Sequence, residues 1–211
     1  MDKGILNLEQ RIGLPAGFFE KLKNEDDWSF IIKLHAVFEA ACTHLLLFHF
    51  QEPELSEVFS RLELTNKTTG KVAFLGRLEL LSKRNRRFIT ALSELRNSLV
   101  HDIRNHAFLL KDKVAGFTGE QLRNFTVTFN PWEEHLREMI RNPLIGKPSQ
   151  ELIEYSELDK CMARAKEDPK GFIWLGSHNV LVSIVDMHGY SDYKKWIKAK
   201  AVLFEEDEDD V

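Results

Sequence analysis

The sequence predicts an all-α protein, and three observations support that fold class. Apolar residues recur three and four positions apart through most of the 211 residues, which places them on one face of an α-helix. Helix start signals precede several of these stretches, whereas the alternating pattern of a half-buried strand occurs in one short segment. The composition, 43% hydrophobic and 29% charged, is that of a folded globular protein.

The first long helix is expected to begin with Asp26 or Asp27 as its N-cap and to end before Pro53. Its apolar face consists of Phe30, Leu34, Phe38, Ala41, Leu45 and Phe48. A short helix over residues 53–62 follows, and the polar segment 65–70 (TNKTTG) is typical of a loop.

The next two helices carry apolar stripes that predict an antiparallel pair. The third helix has the stripe Val72, Leu75, Leu78 and Leu81. The fourth helix, which begins near Asn85, has the stripe Phe88, Leu92, Leu95, Leu99 and Ile103.

The second half of the chain is less regular. Thr118 and Gln121 have the spacing of a capping box, and Asn130 followed by Pro131 predicts a helix start. One alternating triplet is compatible with a short strand: Phe125, Val127 and Phe129.

Two helices are expected nearer the C-terminus, over residues 149–166 and 172–187, with Ser191 as the cap of a last one. No internal repeat and no Gly/Ser-rich or Pro-rich linker marks a domain boundary, and the best candidate lies in residues 143–149. The predicted organisation is a helical domain over residues 1–145, a helical extension over 146–204 packed on it, and an acidic disordered tail over 205–211.

Several classes of protein are disfavoured. Cys42 and Cys161 have no second Cys or His at metal-ligand spacing, so neither a disulfide framework nor a metal site is expected. The N-terminus lacks the pattern of a secretory signal, and the apolar run 36–50 is shorter than the roughly 20 residues that cross a bilayer. We therefore expect a cytoplasmic protein that does not enter membranes.

Charge is distributed unevenly along the chain. The net charge of -4 argues against a protein that coats nucleic acid without sequence preference. Residues 83–104, however, contain six basic and two acidic side chains and so carry +4. Four arginines of this segment are expected to hold phosphates of an RNA: Arg84, Arg86, Arg87 and Arg104. The acidic run 205–210 either solubilises the chain or, as a phosphate mimic, covers this basic surface.

The segment RNSLVH, residues 96–101, interrupts an apolar helix with polar side chains. Asn97 and His101 lie roughly 40° apart on the helix, and Arg96 lies roughly 140° from His101, within reach of a shared cleft. A guanidinium matches a phosphate bidentately, and an imidazole exchanges protons near neutrality. Together they suit RNA cleavage without a metal or another cofactor.

This segment resembles the HEPN superfamily, whose mark is an Arg, usually followed by a polar residue, with a His four to six positions later. Arg96, Asn97 and His101 match that pattern. The flanking segments GKVAFLGRLELL and FITALSELRNSLVHD are similar to HEPN branches such as the mannitol operon repressor. Glu39 matches an acidic position that some members place near the motif. The resemblance covers residues 25–115.

The resemblance implies an HEPN-like helical bundle with additional C-terminal helices, and a homodimer in which two Arg96 and two His101 converge. It implies a metal-independent endoribonuclease of a toxin, antiviral or stress system, with RNA and a partner or antitoxin protein as binding partners. Some members are instead non-catalytic modules that regulate or scaffold by binding protein or nucleotide. Ile103 stands where toxins silenced by a nucleotidyltransferase usually have Tyr, so that mode of control is not expected.

Arg96, His101 and the other histidines also have alternative, purely structural interpretations. Arg96 is alternatively a surface ion-pair partner of Glu94 or Asp102, and His101 a helix-terminal histidine stabilised by the helix dipole. The histidines outside the motif are interpreted as packed, interfacial or structural: His35, His44, His49, His178 and His188. The stretch 190–200 (YSDYKKWIKAK) is a secondary candidate surface for nucleic acid or protein.

Overall fold

The computed structural model describes residues 3–100, 107–130 and 158–206, with side chains up to Gly189, and all its regular structure is helical. Ten α-helices lie in this part of the chain: α1 Lys3–Arg11, α2 Phe18–Lys21, α3 Asp27–Phe50, α4 Ser56–Arg61, α5 Lys71–Arg77, α6 Lys83–Val100, α7 Leu110–Ala115, α8 Gly119–Phe129, α9 Leu158–Glu167 and α10 Pro169–Glu206. Short 3-10 turns occupy Leu22–Asn24 and Pro53–Leu55. The predicted all-α class is confirmed.

Helix α3 is the centre of the core. It begins as predicted, because the Asp26 side chain accepts a hydrogen bond from the Ser29 N–H at 2.8 Å, and it ends at Gln51 in the left-handed conformation. At 24 residues it is longer than the apolar run 36–50, and by length and composition alone it meets the criterion for a membrane span. Core helices meet the same criterion, and half of its apolar window is buried within the protein.

Helix α10 lies along α3 in the same direction. Near its start, Lys170 Nζ is 3.1 Å from Asp27 Oδ1, and five turns later the ring of His188 contacts the ring of His44. The predicted helix 172–187 is therefore part of a longer helix, and Ser191 lies inside α10 and does not cap a new one. Asp168 starts the helix, since its carboxylate accepts the Gly171 N–H at 2.9 Å.

Helix α6 runs in the opposite direction to α10 and α3. Asn85 Nδ2 donates to Ser183 Oγ at 2.9 Å, and one turn further along α6 the ring of Phe88 lies against Gly176, which is earlier in α10. A Cβ on Gly176 would lie 2.7 Å from the Phe88 ring, so only glycine permits this approach. The C-terminal half of α6 consequently lies beside the N-terminal half of α3.

The short strand considered for Phe125, Val127 and Phe129 does not form, because these residues are helical. The segment belongs to α8, whose start is fixed by the capping box: Thr118 Oγ1 accepts from the Gln121 N–H, and Gln121 Oε1 accepts from the Thr118 N–H. Phe125 and Phe129 lie four residues apart and therefore share one helical face, on which their rings pack 4.9 Å apart.

The remaining boundaries shift or lie outside the described residues. The third predicted helix ends at Arg77, so Leu81 is a buried turn residue, and Ser82 precedes α6 and accepts the Asn85 N–H. The helix predicted over 149–166 corresponds to α9, of which residues up to 157 lie outside the description, as do the start at Pro131 and the proposed domain boundary. Residues 205 and 206 of the predicted acidic tail are the last residues of α10, and residues 207–211 lie outside the described residues.

Candidate functional site

Arg96 and Asn97 lie near the C-terminal end of α6. Arg96 is half-buried, and its Nη1 donates to Asn97 Oδ1 at 3.0 Å. Asn97 is exposed, so its amide orients the guanidinium on the solvent side of the helix. His101 and Arg104, the other motif and phosphate candidates of this end, lie outside the described residues.

Arg96 forms no ion pair with a carboxylate in the part of the chain that the structure describes. Glu94 is two residues away, roughly 200° round the helix, and is exposed. The ion pair with Glu94 is therefore absent, and Asp102 lies outside the description. A guanidinium that is partly removed from water without a counter-ion is a favourable place for an anion.

His35 lies on the adjacent part of α3. Burial is the main cause that lowers the pKa of His35 below its ordinary 6.5, and the positive charge of Arg96 is the next. The neighbouring Glu39 carboxylate acts in the opposite direction. The imidazole is consequently neutral near pH 7 and carries a lone pair.

Glu39, one turn from His35 on α3, forms an ion pair with a buried lysine. Lys71 Nζ lies 2.9 Å from Glu39 Oε1 and 3.5 Å from the Ser60 carbonyl oxygen. The Lys71 side chain is 1% exposed, whereas that of Glu39 is 41% exposed. The acidic residue that the resemblance places near the motif therefore compensates Lys71, and it also acts on His35 electrostatically.

We call these five residues the Arg96 cluster: His35, Glu39, Lys71, Arg96 and Asn97. Three helices, α3, α5 and α6, contribute to it. Two cations, one carboxylate and a neutral imidazole leave a net charge of +1, which favours binding of an anion. Glu39, Arg96 and Asn97 are predicted site residues and His35 is not, although the spacing of four between His35 and Glu39 places both on one helical face.

The three predicted phosphate-binding arginines that the structure describes lie at the other end of α6. Arg87 is exposed, and Arg84 is half-buried. Arg86 packs against α5: its Cδ, Nε and Nη1 atoms lie against Gly76, and Nε is buried with no hydrogen-bond partner among the described residues. Arg87 and Arg84 lie roughly 13 and 18 Å from Arg96 along the helix axis, so they are placed for flanking phosphates rather than for the same one.

His44 and His188 form a second, different arrangement. His44 Nδ1 lies 3.0 Å from His188 Nε2, and His188 Nδ1 lies 3.0 and 3.1 Å from the Ile184 and Val185 carbonyl oxygens. Those carbonyls require a proton on His188 Nδ1, so Nε2 is the acceptor and His44 Nδ1 the donor. This contact joins α3 to α10, in keeping with the structural role predicted for His188.

Neither the Cys42 thiol nor the side chains that bind metals form a further site in the described residues. Burial raises the pKa of the Cys42 thiol to about 12, so it stays protonated. Within the described ranges, no three His, Cys, Asp or Glu side chains converge as metal ligands would.

Comparison of the chain with protein-family models, with curated proteins and with solved structures gives no match. The HEPN resemblance therefore rests on the motif and its flanking helices. The fold and the cluster define an all-α protein in which Arg96 has no carboxylate partner among the described residues and its charge lowers the pKa of His35.

Proposed function

We propose that the chain is an HEPN-type, metal-independent endoribonuclease with Arg96, Asn97 and His101 at its centre. One observation carries the proposal: the half-buried Arg96 guanidinium has no carboxylate partner among the described residues and is oriented by Asn97. A phosphodiester is the anion that such a planar donor binds bidentately.

The reaction needs no group beyond side chains. The ribose 2′-oxygen attacks the phosphorus after losing its proton to a base, and the bond to the 5′-oxygen breaks with its electron pair on that oxygen. Arg96 stabilises the negative charge that develops on the phosphate, and His101 takes part in the proton transfers. The products are a 2′,3′-cyclic phosphate and a 5′-hydroxyl.

The wider setting follows from the resemblance. In this proposal the protein is a cytoplasmic homodimer of a toxin, antiviral or stress system, restrained by a partner protein. Arg84, Arg87 and Arg104 contact phosphates on either side of the cut. The acidic run 205–210 competes in this proposal for the same cations.

The test is cleavage of a labelled single-stranded RNA by the full chain in EDTA. We expect Arg96→Ala and His101→Ala to cut at least about a hundredfold more slowly than the wild-type protein. Arg123→Ala is the matched control, because Arg123 is an exposed arginine on α8. RNA that stays intact with all proteins would leave the non-catalytic HEPN module, which binds protein or nucleotide, as the function.

A further inference from the structure

We propose that His44 and His188 form an acid-sensitive latch between α3 and α10: the two rings hold the helices together while a ring nitrogen between them is unprotonated, and they separate when both rings are charged. The inference goes beyond the proposed function and does not depend on it. Neither histidine belongs to the Arg96 cluster.

The latch is a direct contact between two rings. His44 Nδ1 donates to His188 Nε2 at 3.0 Å, and the ring centroids lie 5.1 Å apart. Phe48, one turn after His44 on α3, packs edge-on against the His188 ring with centroids 4.8 Å apart. Because His188 is buried and His44 half-buried, water competes weakly for this hydrogen bond.

The number of protons on the pair decides whether the contact persists. The Ile184 and Val185 carbonyl oxygens lie 3.0 and 3.1 Å from His188 Nδ1 and keep a proton on it. With one added proton, one ring is an imidazolium and the other still supplies an unprotonated nitrogen as acceptor. With two added protons, an N–H of each ring points at the other ring, and no acceptor remains between them. The second proton therefore replaces a hydrogen bond with repulsion between two cations.

The surroundings of His44 disfavour its charged form. Burial is the main cause that lowers the pKa of His44 below its ordinary 6.5, and the charges of His188 from α10 and Arg11 from α1 lower it further. No carboxylate among the described residues acts on His44 in the opposite direction. One turn before and after His44, α3 itself has apolar residues: Ala40, Ala41, Leu47 and Phe48. The latch is consequently closed near pH 7 and opens in acid.

Opening of the latch is a local event. The preceding part of α10 is anchored by residues of the hydrophobic core: Ile173, Leu181 and Ile184. At His188, α10 meets α3 through the rings of His44 and Phe48. Loss of the contact with His44 therefore loosens α10 around His188 while the core contacts stay in place.

Hydrogen exchange of the full chain, measured by mass spectrometry from about pH 7.5 to about pH 4.5, tests the latch. The readout is the protection of amides 185–189 of α10, corrected for the intrinsic dependence of exchange on pH. Helix α8, Gly119–Phe129, is the internal reference.

His44→Asn is the variant that separates the contact from its acid sensitivity. The Asn carboxamide replaces the His44 Nδ1 position, and it donates to a neutral His188 ring or, after rotation, accepts from a charged one. Helix propensity changes little, because His and Asn are similar in this respect. His49→Asn is the matched control, since His49 is another half-buried histidine of α3.

We expect the protection of residues 185–189 to fall about tenfold or more in acid in the wild-type protein and in His49→Asn, while that of α8 is unchanged. His44→Asn should keep its protection over the whole range. The latch is overturned by protection that does not change in the wild-type protein, that falls equally in α8, or that falls in His44→Asn as in the wild-type protein.

NMR titration of the two imidazole rings in the wild-type protein is a second test that needs no variant. We expect the pair to bind its two protons at separate midpoints, because each charge disfavours the other, and the protection of residues 185–189 to fall with the second midpoint. A loss of protection that coincides with the first proton contradicts the latch.

Discussion

Two of the half-buried histidines of helix α3, His35 and His44, have opposite surroundings. Burial lowers the pKa of both, and an arginine from another helix adds to the effect in each case, Arg96 for His35 and Arg11 for His44. His44, however, donates to the ring of His188, whereas His35 has no hydrogen-bond partner in the described residues. Similar burial therefore does not give the same surroundings: His44 joins two helices through a hydrogen bond, whereas His35 interacts with the described charged residues through electrostatics alone.

The largest contrast is expected in stability. His188→Ala should lower the free energy of unfolding by about 3 kcal/mol, because it leaves a cavity and removes the partner of His44 and of two carbonyls. His35→Ala should cost about 1 kcal/mol or less, since it breaks no hydrogen bond. Urea denaturation measures both values, and equal losses would remove the distinction between the two histidines.

Substitution of Glu39 tests how much the ion pair between Glu39 and Lys71 contributes to the free energy of unfolding. Glu39→Gln leaves the buried Lys71 ammonium without a counter-ion, and we expect a loss of about 2 kcal/mol, below the cost for a fully buried pair because Glu39 is partly exposed. The matched control is Glu57→Gln, which breaks the exposed pair with Arg61 and should change stability by less than about 0.5 kcal/mol. Similar losses in both variants would show that burial of Lys71 has no energetic weight.

Both histidines, His35 and His44, should contribute to the pH dependence of the free energy of unfolding. Because folding lowers the pKa of His35 and His44, the unfolded chain binds more protons, and the free energy of unfolding rises with pH in this range. Their contribution is complete above the ordinary pKa of 6.5 and is lost as pH falls below it. His35→Gln and His44→Gln should each weaken this dependence in urea titrations at a series of pH values. A dependence unchanged in both variants would contradict the shifts.

The smallest expected effect separates the two electrostatic environments. Arg96→Gln should raise the pKa of His35 and leave that of His44 unchanged, because Arg96 acts on His35 only. Arg11→Gln should do the reverse. NMR titration of the two imidazole resonances reads both shifts, and a shift of both histidines in either variant would mean that the two ends of α3 are not electrostatically separate.

Much of the fold was predictable because its signals are local. Asp26 as the first cap, the capping box at Thr118 and the apolar spacing of α3 and α6 all appear in the structure. The alternating triplet misled because Phe125 and Phe129 satisfy both a period of two and a spacing of four, and the capping box decides for the helix.

The length of α10 was not predictable from local pattern. Gly189 and Ser191 have the composition of a helix end, yet α10 continues past them to Glu206. Just before this point, His188 contacts His44 of α3. This tertiary contact stabilises the helix, and the residues next to Gly189 in the sequence give no sign of it.

The amino-acid sequence by itself determined the helical class, the main helix starts and the placement of Arg96 and Asn97 on one helix, because capping and periodicity act within a few residues. Only the tertiary structure decided that His44 pairs with His188 and that the charge of Arg96 lowers the pKa of His35, because both outcomes depend on the directions in which α3, α6 and α10 pack. His44 and His188 are separated by 144 positions, and no local pattern encodes a contact over that distance in the sequence.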